Sequence, residues 1–160
     1  MPNYNFRYCD ANIFLSYFNE NPHRITTLQA FFEEIQRNDN HKIVTSIITK
    51  VEVAWTEAEK YQGKLSQEEK TNIDAMWGDA SLLEFIEFND NIAMIARDLM
   101  RSAKEQGWVS IRPLDAIHLA SAKWINATDF ITYDTKDLIK YSQLIGIKIH
   151  EPILEQGRLL

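Results

Sequence analysis

An aspartate, Asp115, stands near the head of the run "PLDAIHLASA" (113–122), which is otherwise apolar on nearly every side. Three further acids sit in comparable settings. Asp10 follows the short run "FRYC", Glu52 is the one charged residue of "VEVAW", and Asp134 closes "DFITYD" (129–134). Taken singly, each has an ordinary structural explanation. Asp115, two residues after Pro113, is favourable first-turn charge worth about 0.3–1 kcal/mol. Asp10 and Asp134 suit caps or turns, and Glu52 suits a solvated helix position. Taken together, four carboxylates converging on one edge with no basic partners between them repel unless a cation or a raised pKa relieves them. A cluster of Asp and Glu without cysteines or an adjacent histidine pair is a hard-oxygen site, suited to Mg²⁺ or Mn²⁺ and not to structural zinc. The four histidines, His23, His41, His118 and His150, are scattered. His118, one turn beyond Asp115, is placed to touch the site, although a helix-packing role is the readier reading.

Those acids meet only if the intervening chain brings them to one place. Residues 5–18 read as a short strand and then a helix, with Phe14, Tyr17 and Phe18 on one side and Asn12 as its N-cap. Ile25, Leu28, Phe31, Phe32 and Ile35 predict a second helix that stops at the turn-prone "NDN" of 38–40. The β-branched "KIVTS" (42–46) predicts a buried strand, followed by a helix over 47–61 capped by Ser46. Gly63 breaks that helix and Ser66 with Glu69 restarts it in capping-box spacing, giving a helical hairpin over 47–79. A strand in "SLLEFIEF" precedes the most periodic stretch, Ile92, Ile95, Ala96, Leu99, Met100 and Ala103, which Gly107 closes. A helix over 113–126 follows, with Ala116 and Ala120 allowing close packing. Then come a strand in "DFITYD", a helix in "TKDLIKYSQL" and a last strand in "IGIKIHE".

This alternation predicts an α/β fold: a twisted parallel sheet with helices on both faces, in a single domain. Ligand sites in such sheets lie beyond the carboxyl ends of the strands. Asp10 and Asp134 end the first and fourth strands there. Crossover helices run back antiparallel to the strands, which brings Asp115, in the first turn of the helix leading into the fourth strand, to the same edge. Glu52, about two turns into the helix after the second strand, is placed least directly.

With 160 residues, 45% of them hydrophobic, the chain carries one core. The domain is assigned to residues 1–150, with a loosely held tail at 151–160. Cys9 is the single cysteine, so neither an internal disulfide nor a cysteine zinc site forms, which fits a reducing, cytoplasmic setting. No basic-then-apolar leader pattern and no apolar run of about 20 residues is present, so no membrane association is expected. The net charge of −6 opposes non-specific nucleic-acid binding by the surface as a whole.

Four stretches, "CDANIFL", "TSIITKVEVAW", "RPLDAIHLASA" and "FITYDTKDL", resemble the PIN-domain nucleases and, within them, the bacterial VapC-type toxins. The resemblance covers nearly the whole chain in the right order. It implies an acidic tetrad of Asp10, Glu52, Asp115 and Asp134 holding Mg²⁺ or Mn²⁺. Asn12, Ser46 and Thr132 would support those acids or a water, and Asp137 would be an additional acid. It further implies metal-dependent RNA cleavage and restraint by a small antitoxin protein. The chain departs from many such toxins in being more acidic. Two divalent ions would add four positive charges to the −6 and leave −2, and Arg7, Arg112 and Lys136 could then meet a phosphate.

The sequence therefore reads as a metal-dependent endoribonuclease, the toxin of a toxin–antitoxin pair. A catalytically silent PIN-like module that binds RNA or protein is the alternative, against which the complete tetrad speaks. Phosphotransfer on Asp10 is weaker still, because "DAN" lacks the second acid an Asp-x-Asp phosphatase needs. Carboxylates without a placed histidine pair point to water activated by a cation, and so to 5′-phosphate and 3′-hydroxyl products. The 47–79 hairpin, with Trp55 and Trp77, offers a surface for a homodimer or an antitoxin, although both tryptophans suit a partly buried setting.

Overall fold

Residues Asn5–Cys9 extend as β1 because alternate side chains serve two different cores: Phe6 and Tyr8 face one helical layer, Cys9 the other. The computed structural model, which describes residues 3–154, builds β1 into the middle of a five-stranded sheet of order β3-β2-β1-β4-β5. The other strands are β2 (His41–Ser46), β3 (Leu83–Ile86), β4 (Asp129–Ile131) and β5 (Lys148–His150). Every pairing is parallel, with Tyr8 opposite both Val44 and Phe130. The parallel sheet flanked by helices in one domain is therefore as the alternation predicted.

One layer holds α1 (Ala11–Phe18), α2 (Ile25–Arg37) and α5 (Gln67–Trp77), whose Phe14, Leu28, Phe31 and Ile73 bury Cys9, Ile43 and Ile131. The opposite layer holds α6 (Asp90–Glu105) and α7 (Pro113–Trp124). Ala96, Ala103, Ala116 and Ala120 are all buried in their shared cluster, and small side chains let two helix backbones approach closely over Tyr8 and Phe130. Asn89 caps α6 by accepting the Ile92 amide at 3.0 Å.

The sharpest departure from the sequence reading falls after β2. The helix expected over 47–61 is two short pieces, α3 (Thr49–Glu52) and α4 (Glu57–Gln62). Thr56 lies between them in extended conformation and caps α4 in a reciprocal capping box with Glu59. β-Branched Thr49, Val51 and Val53 add little helix propensity to resist that break. Ser46 does not cap this segment; its hydroxyl only accepts the Ile48 amide at 3.4 Å. Ser66 does cap α5, but its own amide is taken by Glu59 and not by Glu69. Gly63 ends α4 at φ +61°, where a Cβ would be strained. Asn12 likewise does not cap α1, since that position is Asp10. The 135–144 helix is split into α8 (Thr135–Leu138), a 3₁₀ turn (Ile139–Tyr141) and α9 (Ser142–Ile145).

Trp77 packs edge-on against Phe14, Phe18 and Phe85, whereas Trp55 is exposed between α3 and α4. Past β5 the chain stays against the domain as far as Leu154, and residues 155–160 of the expected tail lie outside the described residues. No helix among the described residues is long and apolar enough to cross a membrane.

Candidate active site

Strand order reverses about β1: the chain moves outward to β2 and β3, then returns to β4 on the other side. A crevice forms where two such halves diverge, at the carboxyl ends of β1 and β4. Asp10 is the first residue past β1, and it is 4% exposed. Asn12, in the first turn of α1, ties the two strand ends together. Its Nδ2 donates to Asp10 Oδ2 at 3.3 Å and to Thr132 Oγ1 at 3.0 Å, while its Oδ1 accepts the Tyr133 amide at 3.0 Å. Thr132, fully buried, also accepts the Asp134 amide at 2.9 Å, so the turn carrying Asp134 into α8 is fixed to the same scaffold.

The acids press on one another here. Burial above all, and then the charges of Asp115 and Glu52, push the Asp10 carboxyl up from 3.8 to about 7, against the downward pull of His118 and the Thr132 hydroxyl. Asp10 Oδ1 is buried and has no hydrogen-bond partner among the described residues. Asp134 is raised too, by burial and by neighbouring Asp137 and Asp115. Asp115 begins α7 behind Pro113, and Arg112 Nε donates to its Oδ2 at 2.9 Å. The expectation of acids without a basic neighbour therefore fails at this one carboxylate. Arg112 is itself open to solvent, which leaves such a pair worth about 0.2–1 kcal/mol.

Glu52 reaches the region from the last residue of α3, and its Oε1 lies 2.6 Å from His118 Nε2. His118 Nδ1 in turn lies 2.6 Å from the Tyr8 hydroxyl, which accepts the Ser46 amide at 3.1 Å. The sequence reading placed His118 within reach of the site but favoured packing, and it passed over Tyr8. The i, i+3 spacing from Asp115 was the available signal, but both partners lie far away in sequence. Ser46 acts here through its backbone.

A model of the PIN domain matches residues 7–143. The chain belongs to the PIN domain family. Among solved structures, this PIN domain is similar to VapBC2 from Rickettsia felis bound to a promoter DNA fragment, at 18% identity and TM-score 0.69, over 91% of this chain and 98% of that one. VapBC-1 from nontypeable Haemophilus influenzae is similar at 20% identity and TM-score 0.62, over 91% and 97%. A toxin–antitoxin complex from Klebsiella pneumoniae follows at 23% identity and TM-score 0.54, over 82% and 89%. No curated protein matches the sequence. At these identities the structures establish the fold of the PIN domain.

The basic residues expected to meet a phosphate divide. Arg112 lies at the acidic edge through Asp115, and Lys136 is exposed in the first turn of α8, beside Asp137 and two residues from Asp134. Arg7 is elsewhere: 5% exposed, it grips Asp129 with two hydrogen bonds of 2.7 and 2.8 Å and lies near the Phe31 ring of α2. Strand alternation aims it at the α2 layer, so its guanidinium serves the core and not the edge of the PIN domain.

The acids influence one another's protonation, yet among the described residues no three His, Cys, Asp or Glu groups meet as a ready-made ligand set. The donor chemistry still fits a hard divalent cation. Asp10 presents an unsatisfied buried oxygen, and its acidic neighbours raise the cost of its charge; a cation relieves both.

Proposed function

We propose that this PIN domain is a metal-dependent endoribonuclease and the toxin of a toxin–antitoxin pair. The observation that carries the proposal is Asp10: a buried carboxylate at the strand-end crevice, braced by Asn12 on one oxygen, with the other left without a partner. A fold gains nothing in stability from such a group, so it speaks for a ligand. Asp10, Glu52, Asp115 and Asp134 would hold Mg²⁺ or Mn²⁺. A bound divalent ion supplies the lowered pKa of an attacking water and neutralises charge building at phosphorus. The chain supplies the rest: Asn12 and Thr132 orient Asp10, Asp137 keeps Asp134 in a negative field, and Arg112 and Lys136 meet the RNA backbone.

The test is the chemistry of the cut. RNA should be cleaved to 5′-phosphate and 3′-hydroxyl ends, including at a single 2′-deoxy position, and cleavage should stop in EDTA and return with Mg²⁺ or Mn²⁺. Asp115→Asn should lose most of the rate while remaining folded by circular dichroism. A 2′,3′-cyclic phosphate product, or full activity in EDTA, overturns the proposal. That no ready-made ligand set stands among the described residues favours the silent RNA- or protein-binding module as the second reading. Binding of RNA without cleavage in any metal would select it.

An antitoxin partner is supported by charge. A groove of ≈ 990 Å³ between α2 and the α4–α5 region is floored by Phe18, Phe32, Met76 and Leu82 and rimmed by Glu20, Glu33, Glu68, Glu69 and Asp79. Such a groove suits a basic amphipathic segment, whose arginines would also bridge carboxylates at the crevice. The neighbouring VapBC2 and Klebsiella structures are complexes by their descriptions. Co-expression with the product of an adjacent small gene should give a stable complex with suppressed cleavage; undiminished activity in that complex would refute the toxin role.

A further inference from the structure

Behind Glu52 runs a chain of hydrogen bonds whose protons can be counted. Tyr8 is fully buried in β1 and His118 is 1% exposed in α7. The Tyr8 oxygen accepts the Ser46 amide at 3.1 Å and lies 2.6 Å from His118 Nδ1. The Glu52 carboxylate on the far side of the ring can only accept, so the ring presents its N–H there and Nδ1 takes the phenolic hydrogen. With Nδ1 occupied as an acceptor, the ring hydrogen of a neutral His118 resides on Nε2, which faces Glu52 Oε1 at 2.6 Å. A backbone amide of β2, a phenol, an imidazole and a carboxylate at the crevice are thus joined in one chain of hydrogen bonds.

We propose that Tyr8 and His118 are positioning residues: Tyr8 fixes the Nε2–H tautomer of His118, and His118 clamps one oxygen of Glu52 so that the other is presented to a divalent cation. The cation half rests on the metal-dependent reading above; the tautomer half stands on the metal-free protein alone. Glu52 needs such a clamp more than the other acids do. It ends the four-residue helix α3, just before the break at 53–56, and without an outside anchor its side chain would roam. Partners in this outer position usually alter metal affinity by about 10–100-fold when removed.

Two measurements test it. In the metal-free wild type, nitrogen NMR of the His118 ring should show Nδ1 unprotonated and Nε2 protonated at neutral pH, and Tyr8→Phe should lose that single-tautomer signature. Calorimetric titration of Mn²⁺ should then show affinity about 10–100-fold weaker in His118→Leu and roughly tenfold weaker in Tyr8→Phe. His118→Gln, which restores an N–H donor, should recover part of the loss, and kcat should fall in these variants with little change in KM for RNA. Circular dichroism and a thermal melt establish that each variant is folded. A protonated Nδ1 in the wild type, or Mn²⁺ affinity unchanged in both His118→Leu and Tyr8→Phe, overturns the positioning role. A wild type that shows the tautomer but binds no Mn²⁺ instead defeats the metal-dependent reading and with it the cation half of the proposal.

Discussion

Replacing Asp10 with Asn should remove the largest pH-dependent loss of metal-free stability between about pH 4 and pH 7, a loss opposite in direction to that of a carboxylate paired in the fold. The folded carboxyl stands at about 7 against 3.8 when free. Between those values the folded chain holds a proton that the unfolded chain has released, so metal-free stability falls as pH rises from about 4 to about 7 and levels off above. At about 1.36 kcal/mol per pH unit, the full loss is about 4 kcal/mol. For a chain of this size each kcal/mol moves Tm by about 2–4 °C, giving a drop of about 8–16 °C between pH 4 and pH 8. Asp10→Asn removes the ionisation. It keeps a carbonyl for Asn12 but places an amide where Oδ1 had no partner, at a constant cost of about 1–3 kcal/mol. The variant should therefore be less stable than wild type at about pH 4, where the wild-type carboxyl has lost little, and more stable at about pH 8. Urea unfolding in EDTA across pH 4–8 reads this directly. Added Mn²⁺ at 100 times its Kd should restore about 2.7 kcal/mol to the wild type alone. Parallel pH profiles for the two proteins, with no narrowing toward pH 8, would refute the account of Asp10 as a charge the fold does not neutralise.

Two further substitutions probe Arg7, outside the crevice, and Tyr141, which lines a pocket with Arg112, Asp115, Asp134 and Asp137. Burial pushes Asp129 up, but the bonds from His150 and Arg7 outweigh it and hold the carboxyl below its ordinary value, so this contribution is present above about pH 4 and lost in acid. Arg7→Met should cost about 3–5 kcal/mol at neutral pH by urea unfolding, because it strands that buried acid, and RNA cleavage by the folded fraction should persist; a loss of cleavage without a loss of stability would return Arg7 to the substrate. The Tyr141 hydroxyl is buried without a hydrogen-bond partner among the described residues, so Tyr141→Phe should leave Tm unchanged or raised, and a fall of several degrees would reveal a partner for it.

The acidic edge was legible in the sequence because it depends on a topological rule and not on contacts. Once strands and helices alternate, residues just past a strand and in the first turn of the next helix share one edge, whatever packs beneath them. Asp10 and Asp134 follow that rule; Asp115 heads α7, which follows α6 but leads directly into β4, and the structure finds it acting on both of the others. What escaped depends on pairings between distant residues. Arg7 carries the same charge whether it meets RNA or Asp129, 122 positions away, and only the register of β1 against β4 decides. The break between α3 and α4 escaped for another reason: the Thr56–Glu59 capping box lay inside a span whose composition still read as helix. There a local side-chain cap won over periodicity.

Those same distant pairings give the four acids unequal parts. Asp115 has an arginine in solvent and Glu52 has a buried histidine, so each carries an opposing hydrogen-bond donor before anything binds. Asp134 is half-buried among other acids, partly screened by water and with no oxygen stranded as Asp10 Oδ1 is. Asp10 alone combines burial with an unpartnered oxygen and two acidic neighbours. Filling the crevice with a cation would therefore change the energy of Asp10 far more than that of the other three. Stability with and without metal should then report almost entirely on Asp10, while the geometry of what is bound should report on Glu52 and the rings behind it.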